Sequence, residues 1–128
     1  MKMITQNEID NMRRALEALW TDMGALARNP LVEQLGLMDG WAEQDRLDVY
    51  KRAMALIEAI LAAARRLKDN GDAAAFVLLD RAYGLAQQHF EPRPIHATLD
   101  ELAAQAGLSP TEYERKLDAA LVNLRNEL

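Results

Sequence analysis

Apolar residues recur along this chain at helical spacing rather than at the alternating spacing of a strand. The first run is Ile9, Met12, Leu16, Leu19, Met23 and Leu26. Its steps alternate between three and four, which makes a heptad seam over almost three heptads. Trp20 and Ala27 widen that seam. Thr5 and Glu8 have the spacing of a capping box at the start. Asn29-Pro30 closes the helix, because the residue before proline avoids the α region. A single helical turn is expected from Pro30 to Leu35, stopped by Gly36, and a loop over 36–40. The second long helix is predicted from about Trp41 to Asp69, capped by Asp39 and stopped by Asn70-Gly71. One apolar row runs Leu47, Tyr50, Met54, Ile57, Leu61, Ala64, and an adjoining row starts at Val49 and Ala53. Two adjoining rows make a wide apolar face, as expected of a central helix with two neighbours.

A third helix is predicted from roughly Ala73 to Phe90, with Asp72 as its cap. Pro92 and Pro94 forbid helix around them, so the link at 91–97 is expected to be extended. Thr98 with Glu101, and Ser109 with Glu112, have capping-box spacing. They bracket helices of about Leu99 to Ala106 and Pro110 to Glu127. The pattern therefore predicts an all-α fold. A long antiparallel helical hairpin over 5–71 is followed by a smaller three-helix part over 72–128 with a helix-turn-helix-like element at 98–127. About 30 residues follow the proline-rich link, too few for a separate core, so residues 1–128 read as one domain. The two long helices would span roughly 35 and 45 Å. The apolar surface of such a hairpin, with its heptad seam, leads to the expectation of a homodimer.

Composition supports helix over sheet. The 128 residues include 22 Ala and 20 Leu, but only 13 Val, Ile and Thr together. Half of the chain is hydrophobic, which excludes a disordered class. No apolar run reaches 18 residues and the start turns polar at once, so a soluble cytoplasmic chain with no membrane partner is expected. The absence of cysteine excludes disulfides and thiolate chemistry. No catalytic constellation stands out. The six glycines are scattered, and the two histidines support no Ser/His/Asp arrangement. His89 and His96 flank Glu91, but a loop bent by two prolines is a poor preformed metal site. No enzyme activity, metal or cofactor is expected.

Residues 98–117 carry the one motif. Leu102, Ala106 and Tyr113 are placed to point into the angle between two helices, and the small Ala103 lets them approach. Gly107 suits the positive φ of a tight turn. Leu108 would plug the corner and Ser109 cap the next helix. The segment resembles the helix-turn-helix of bacterial transcription regulators, notably the arabinose-regulator and lactose-repressor families. The matching residues are Thr98, Leu99, Leu102, Ala103, Ala106, Gly107, Leu108, Ser109, Tyr113 and Arg115. In those families the second helix lies in the DNA major groove. The resemblance implies that Pro110, Thr111, Glu114 and Arg115 face DNA, with Lys116 and Arg93 nearby. Lys116 departs from the pattern, which has an apolar residue there.

Charge points the other way. The chain carries a formal charge of −5. From 98 onward six carboxylates stand against Arg115, Lys116 and Arg125. DNA affinity rests mainly on cations that neutralise phosphates. The expected function is therefore a non-enzymatic interaction protein, an adaptor or inhibitor whose acidic helical surface binds a protein partner and could mimic nucleic acid. A dimeric DNA-binding regulator using Thr111, Arg115, Lys116 and Arg93 is the alternative. The expected protein contacts are Leu37, Met38 and Trp41 on the loop before the second long helix, with Trp20, Glu112 and Glu114. Arg65, Arg66 and Lys68 are expected to stabilise the negative end of their helix.

Overall fold

The computed structural model describes residues 4–85 and 98–128. Among them it is helical throughout, with no strand. The elements are α1 (Gln6–Ala18), α2 (Met23–Arg28), α3 (Leu31–Gln34), α4 (Glu43–Arg46), α5 (Val49–Asp69), α6 (Ala73–Tyr83), α7 (Leu99–Gln105) and α8 (Pro110–Glu127). The expected link at 91–97, with Arg93, His89 and His96, lies outside the described residues.

The helix α5 is the centre. It packs against α2, α3, α4, α6 and α8. Its second apolar row is buried from Ala53 onward, through Leu56, Ile60, Ala63 and Leu67. From the first row Ile57 and Ala64 are buried, while Met54 and Leu61 are half-buried against the core. The heptad seam of the first run is also used inside the chain. Met12, Leu16, Leu19 and Leu26 are all inaccessible and belong to the same core as α5, α6 and α8. Ile9 and Met23 of the same seam are half-buried against that core.

Both long helices of the expected hairpin are interrupted. The first ends at Leu19 rather than at Asn29, and the chain resumes as α2. Asp22 causes the restart, because its carboxylate accepts the amide of Ala25 at 3.0 Å. A short polar side chain that caps offers the backbone an alternative to continuing the helix. The second begins at Val49 rather than Trp41, with α4 as a separate turn before it. The capping residue is Asp48, which accepts the Lys51 amide at 3.0 Å, and not Asp39. The helix α6 stops at Gly84, which has φ 73°, well short of Phe90.

Polar side chains fix how these pieces meet. Asn29 is buried between α2 and α3. Its Nδ2 donates to the Asn11 carbonyl at 3.0 Å, and its Oδ1 accepts the Leu31 amide at 2.9 Å. Trp20 Nε1 donates to the Gly84 carbonyl at 2.8 Å, joining the break after α1 to the end of α6. Glu8 serves twice. Its Oε2 completes the capping box of α1 with the Thr5 amide, and its Oε1 accepts from Arg125, which is buried on α8, at 3.3 Å. Arg13 on α1 reaches Asp118 on α8 at 2.5 Å. Burial works against the Arg13 cation, but the hydrogen bond and charge of Asp118 outweigh it and raise the pKa.

Two outcomes follow. Asn29→Ala should destabilise the chain by about 2–3 kcal/mol in urea denaturation, because a buried carbonyl and a buried amide both lose their partner. Tyr83 is buried, which pushes its pKa up to about 12 against the opposing charge of Arg13. The unfolded phenol ionises near 10, so between pH 10 and 12 the folded state holds a proton that the unfolded state releases. Stability should be complete below pH 10 and fall as the pH rises toward 12. Tyr83→Phe should flatten that fall in a series of denaturation curves.

Candidate interaction surface

The expected contact residues separate into two groups. Trp20 and Met38 are core residues, both nearly inaccessible, so they cannot meet a partner directly. Leu37 is half-buried against that core. Trp41 is different: 42% of it is exposed. It belongs with residues that periodicity assigned to the buried face of the second long helix. Leu47 is 72% exposed, Val49 53% and Tyr50 61%. These four large apolar side chains fall within ten residues, around α4 and the first turn of α5. Isolated exposed apolar residues are ordinary, but four within ten residues are not.

The geometry of the corner explains why they are uncovered. Leu47 is the C-cap of α4, and Asp48 begins α5 afresh. The restart separates Leu47 from the helical row that continues into the core. Val49 and Tyr50 lie in the first turn of α5, before its first buried residue, Ala53. Before the corner, the chain turns at Gly36, whose φ of 62° closes α3. A Cβ there would stand 2.6 Å from an oxygen of the exposed Asp39 side chain, which can swing aside, so it is the positive φ that demands glycine.

Beside Leu47, between α3, α4 and α5, lies a cleft of about 350 Å³. Val32 and Met38 line its apolar part. Its charged lining is Glu33, Asp39, Glu43, Arg46 and Arg52. Arg52 is fully engaged. Its Nε donates to the Ala27 carbonyl at 2.9 Å, its Nη1 to the Arg46 carbonyl at 2.9 Å, and its Nη2 to Glu33. Lys51 pairs with Asp45 at 2.5 Å, which raises the lysine pKa through the hydrogen bond and the charge of Asp45. Among the described residues this leaves the carboxylates of Asp39 and Glu43 without an ion-pair partner.

The segment from 98 has the local structure that its motif predicts. Thr98 and Glu101 form a full capping box. The Leu108 amide bonds the Ala103 carbonyl at 2.9 Å and the Gly107 amide bonds that of Ala104 at 3.1 Å. This is a Schellman turn with Gly107 at φ 72°. Ser109 accepts the Glu112 amide at 3.2 Å, while its own hydroxyl donates to the Glu112 carboxylate at 3.0 Å. The box at Ser109 is thus only half built. Ala103 and Tyr113 are buried as expected, but Ala106 is exposed rather than pointing into the helical angle. Burial raises the pKa of Tyr113, whose hydroxyl finds no partner among the described residues.

Thr111, Glu112, Glu114, Arg115 and Lys116 are all exposed on the first half of α8. The second half is core, with Leu121 and Leu124 fully buried. A second groove, of about 530 Å³, separates α6 from the turn between α7 and α8, with Val77, Arg81, Leu108 and Lys116 on its walls. At the end of α5, Arg66 donates to the Glu127 carbonyl at 2.6 Å, and Lys68 lies over the Phe76 ring at 5.3 Å. Those cations are therefore partly committed within the fold. Among the described residues no group of three His, Cys, Asp or Glu could hold a metal, and no helix is long and apolar enough to cross a membrane.

No family model, no curated protein and no solved structure matches this chain.

The two tryptophans should separate on mutation. Trp20→Ala should cost about 3–5 kcal/mol, as expected for emptying a buried aromatic site. Trp41→Ala should cost clearly less, about 1 kcal/mol, because 42% of the residue is already in water. Thermal denaturation of both variants checks this.

Proposed function

We propose that this chain is a non-enzymatic protein-interaction module, an adaptor or inhibitor that engages a protein partner through the α4–α5 corner. One observation carries the reading: of the six large apolar residues exposed among the described residues, four, Trp41, Leu47, Val49 and Tyr50, fall within ten positions. Interface hot spots are rich in tryptophan and tyrosine, and they gain most when such side chains leave water.

A DNA-reading regulator remains the second reading, favoured by the Schellman turn and the exposed first half of α8. Charge weighs against it. Around Arg115 and Lys116 stand Asp100, Glu101, Glu112 and Glu114, all exposed. Only Asp118 is neutralised, by Arg13. A phosphate backbone approaching α7 and α8 meets more carboxylates than cations, so the counterion-release term that drives such binding is small.

Capture from a lysate of its own cells, run beside retention of sheared genomic DNA across a salt series, tests the two readings together. Leu47→Asp leaves the fold intact because the side chain is exposed, and melting should confirm that. The wild type should retain a defined protein partner that Leu47→Asp binds at least tenfold more weakly, with no DNA held at low salt. DNA retention that Arg115→Ala weakens would instead establish the regulator.

A further inference from the structure

Resting on the corner as the contact surface, the structure also constrains what can cover it. The occupant must bring apolar area for Trp41, Leu47, Val49 and Tyr50. It must also suit the charge around them. From Glu33 to Arg52 there are five carboxylates and three cations. Two of the cations are consumed internally, Arg52 by Glu33 and two carbonyls, Lys51 by Asp45. What faces outward is Asp39, Glu43 and the capping Asp48, opposed by Arg46 alone.

That balance disfavours a second copy of the chain. A two-fold dimer across the corner would set this same negative surface against itself, and like charges across an interface cost several kcal/mol. It equally disfavours nucleic acid and acidic peptides. The cleft beside Leu47 adds a shape requirement. Its accessible apolar wall is Leu47, which shares the lining with Asp39 and Glu43. A long cationic side chain matches that sequence of surfaces, with its methylene stem on the apolar wall and its charge at the carboxylates.

We infer that the α4–α5 corner receives a basic amphipathic helix of a protein partner. Its apolar stripe covers Trp41, Leu47, Val49 and Tyr50, and an arginine or lysine beside that stripe enters the cleft toward Asp39 and Glu43. Recognition of this kind reads residues spaced i, i+3 or i+4, and i+7 on one face of the helix.

The test is selection of displayed random 16-residue peptides on the full-length chain, with counter-selection on Leu47→Asp. The survivors should share an apolar stripe at helical spacing flanked by lysine or arginine. A synthetic consensus peptide should bind with an affinity that falls as salt rises. The pair Asp39→Asn with Glu43→Gln should weaken it at least tenfold without changing the melting temperature. Survivors that lack cations, or whose binding ignores the Asp39/Glu43 pair, would overturn the basic-helix inference while leaving the corner as the interaction surface. No survivor sensitive to Leu47→Asp would overturn both. Sedimentation showing a dimer that Leu47→Asp dissolves would place a second copy on the corner and overturn the inference as well.

Discussion

Every other element depends on the covering of α5. A 21-residue helix with two adjoining apolar rows cannot stand in water, and the chain covers it with shorter pieces. Helices of four, six, seven and eleven residues are too short to be stable alone. The helices α2, α3 and α6 persist because they contribute to one continuous core, while α7 packs on α8. Local propensity starts these helices, while burial against α5 and α8 keeps them.

Apolar packing is non-directional, so it does not by itself say where each short helix sits. The buried polar contacts supply that direction. Asn29 holds the α2–α3 turn to α1, Trp20 holds the break after α1 to the end of α6, and Glu8 with Arg125 holds the two ends of the chain together. Arg125 makes this last contact from a buried position where its Nε has no partner. A buried ion pair of this kind is weak evidence for stability, but losing one partner leaves an uncompensated charge. Its value here lies in position: it sets the register of α8 on α1, from which the first half of α8 projects with α7.

Much of this was legible in the residues. Helix class, the stops at Gly36 and Gly71, the capping box at Thr5 and the turn at Gly107 all follow from local chemistry, which acts over three or four residues. The breaks at Leu19 and Leu47 did not emerge from periodicity, because the three-four spacing of Leu16, Leu19, Met23 and Leu26 continues across the first one. The apolar face stays aligned while the backbone stops and restarts. Asp22 and Asp48 were the available signals, each an aspartate that could cap a new helix inside an apolar pattern. The surface followed the same rule. Trp41 was recognisable as a tryptophan in a loop, but Leu47, Val49 and Tyr50 read as core, since periodicity reports which side of a helix is apolar and not whether a neighbour reaches that far. Trp20 and Met38 misled for the converse reason: a residue beside a break or in a loop can still be drawn into the core by the elements around it.

The same reasoning ties the candidate surface to the architecture. The restart at Asp48 places one turn of α5 ahead of its first buried residue, and α4 is only four residues long. The cover therefore ends before the apolar pattern does. A monomer under selection for stability alone would lose little by replacing Leu47 or Tyr50 with polar residues, since neither is buried. An apolar and basic partner, as proposed, would account for their presence at a corner whose free charges are mostly acidic. The helix-turn-helix-like end is built by capping, by the Schellman turn and by burial of Ala103 and Tyr113, and the carboxylates exposed around Arg115 and Lys116 outnumber those two cations.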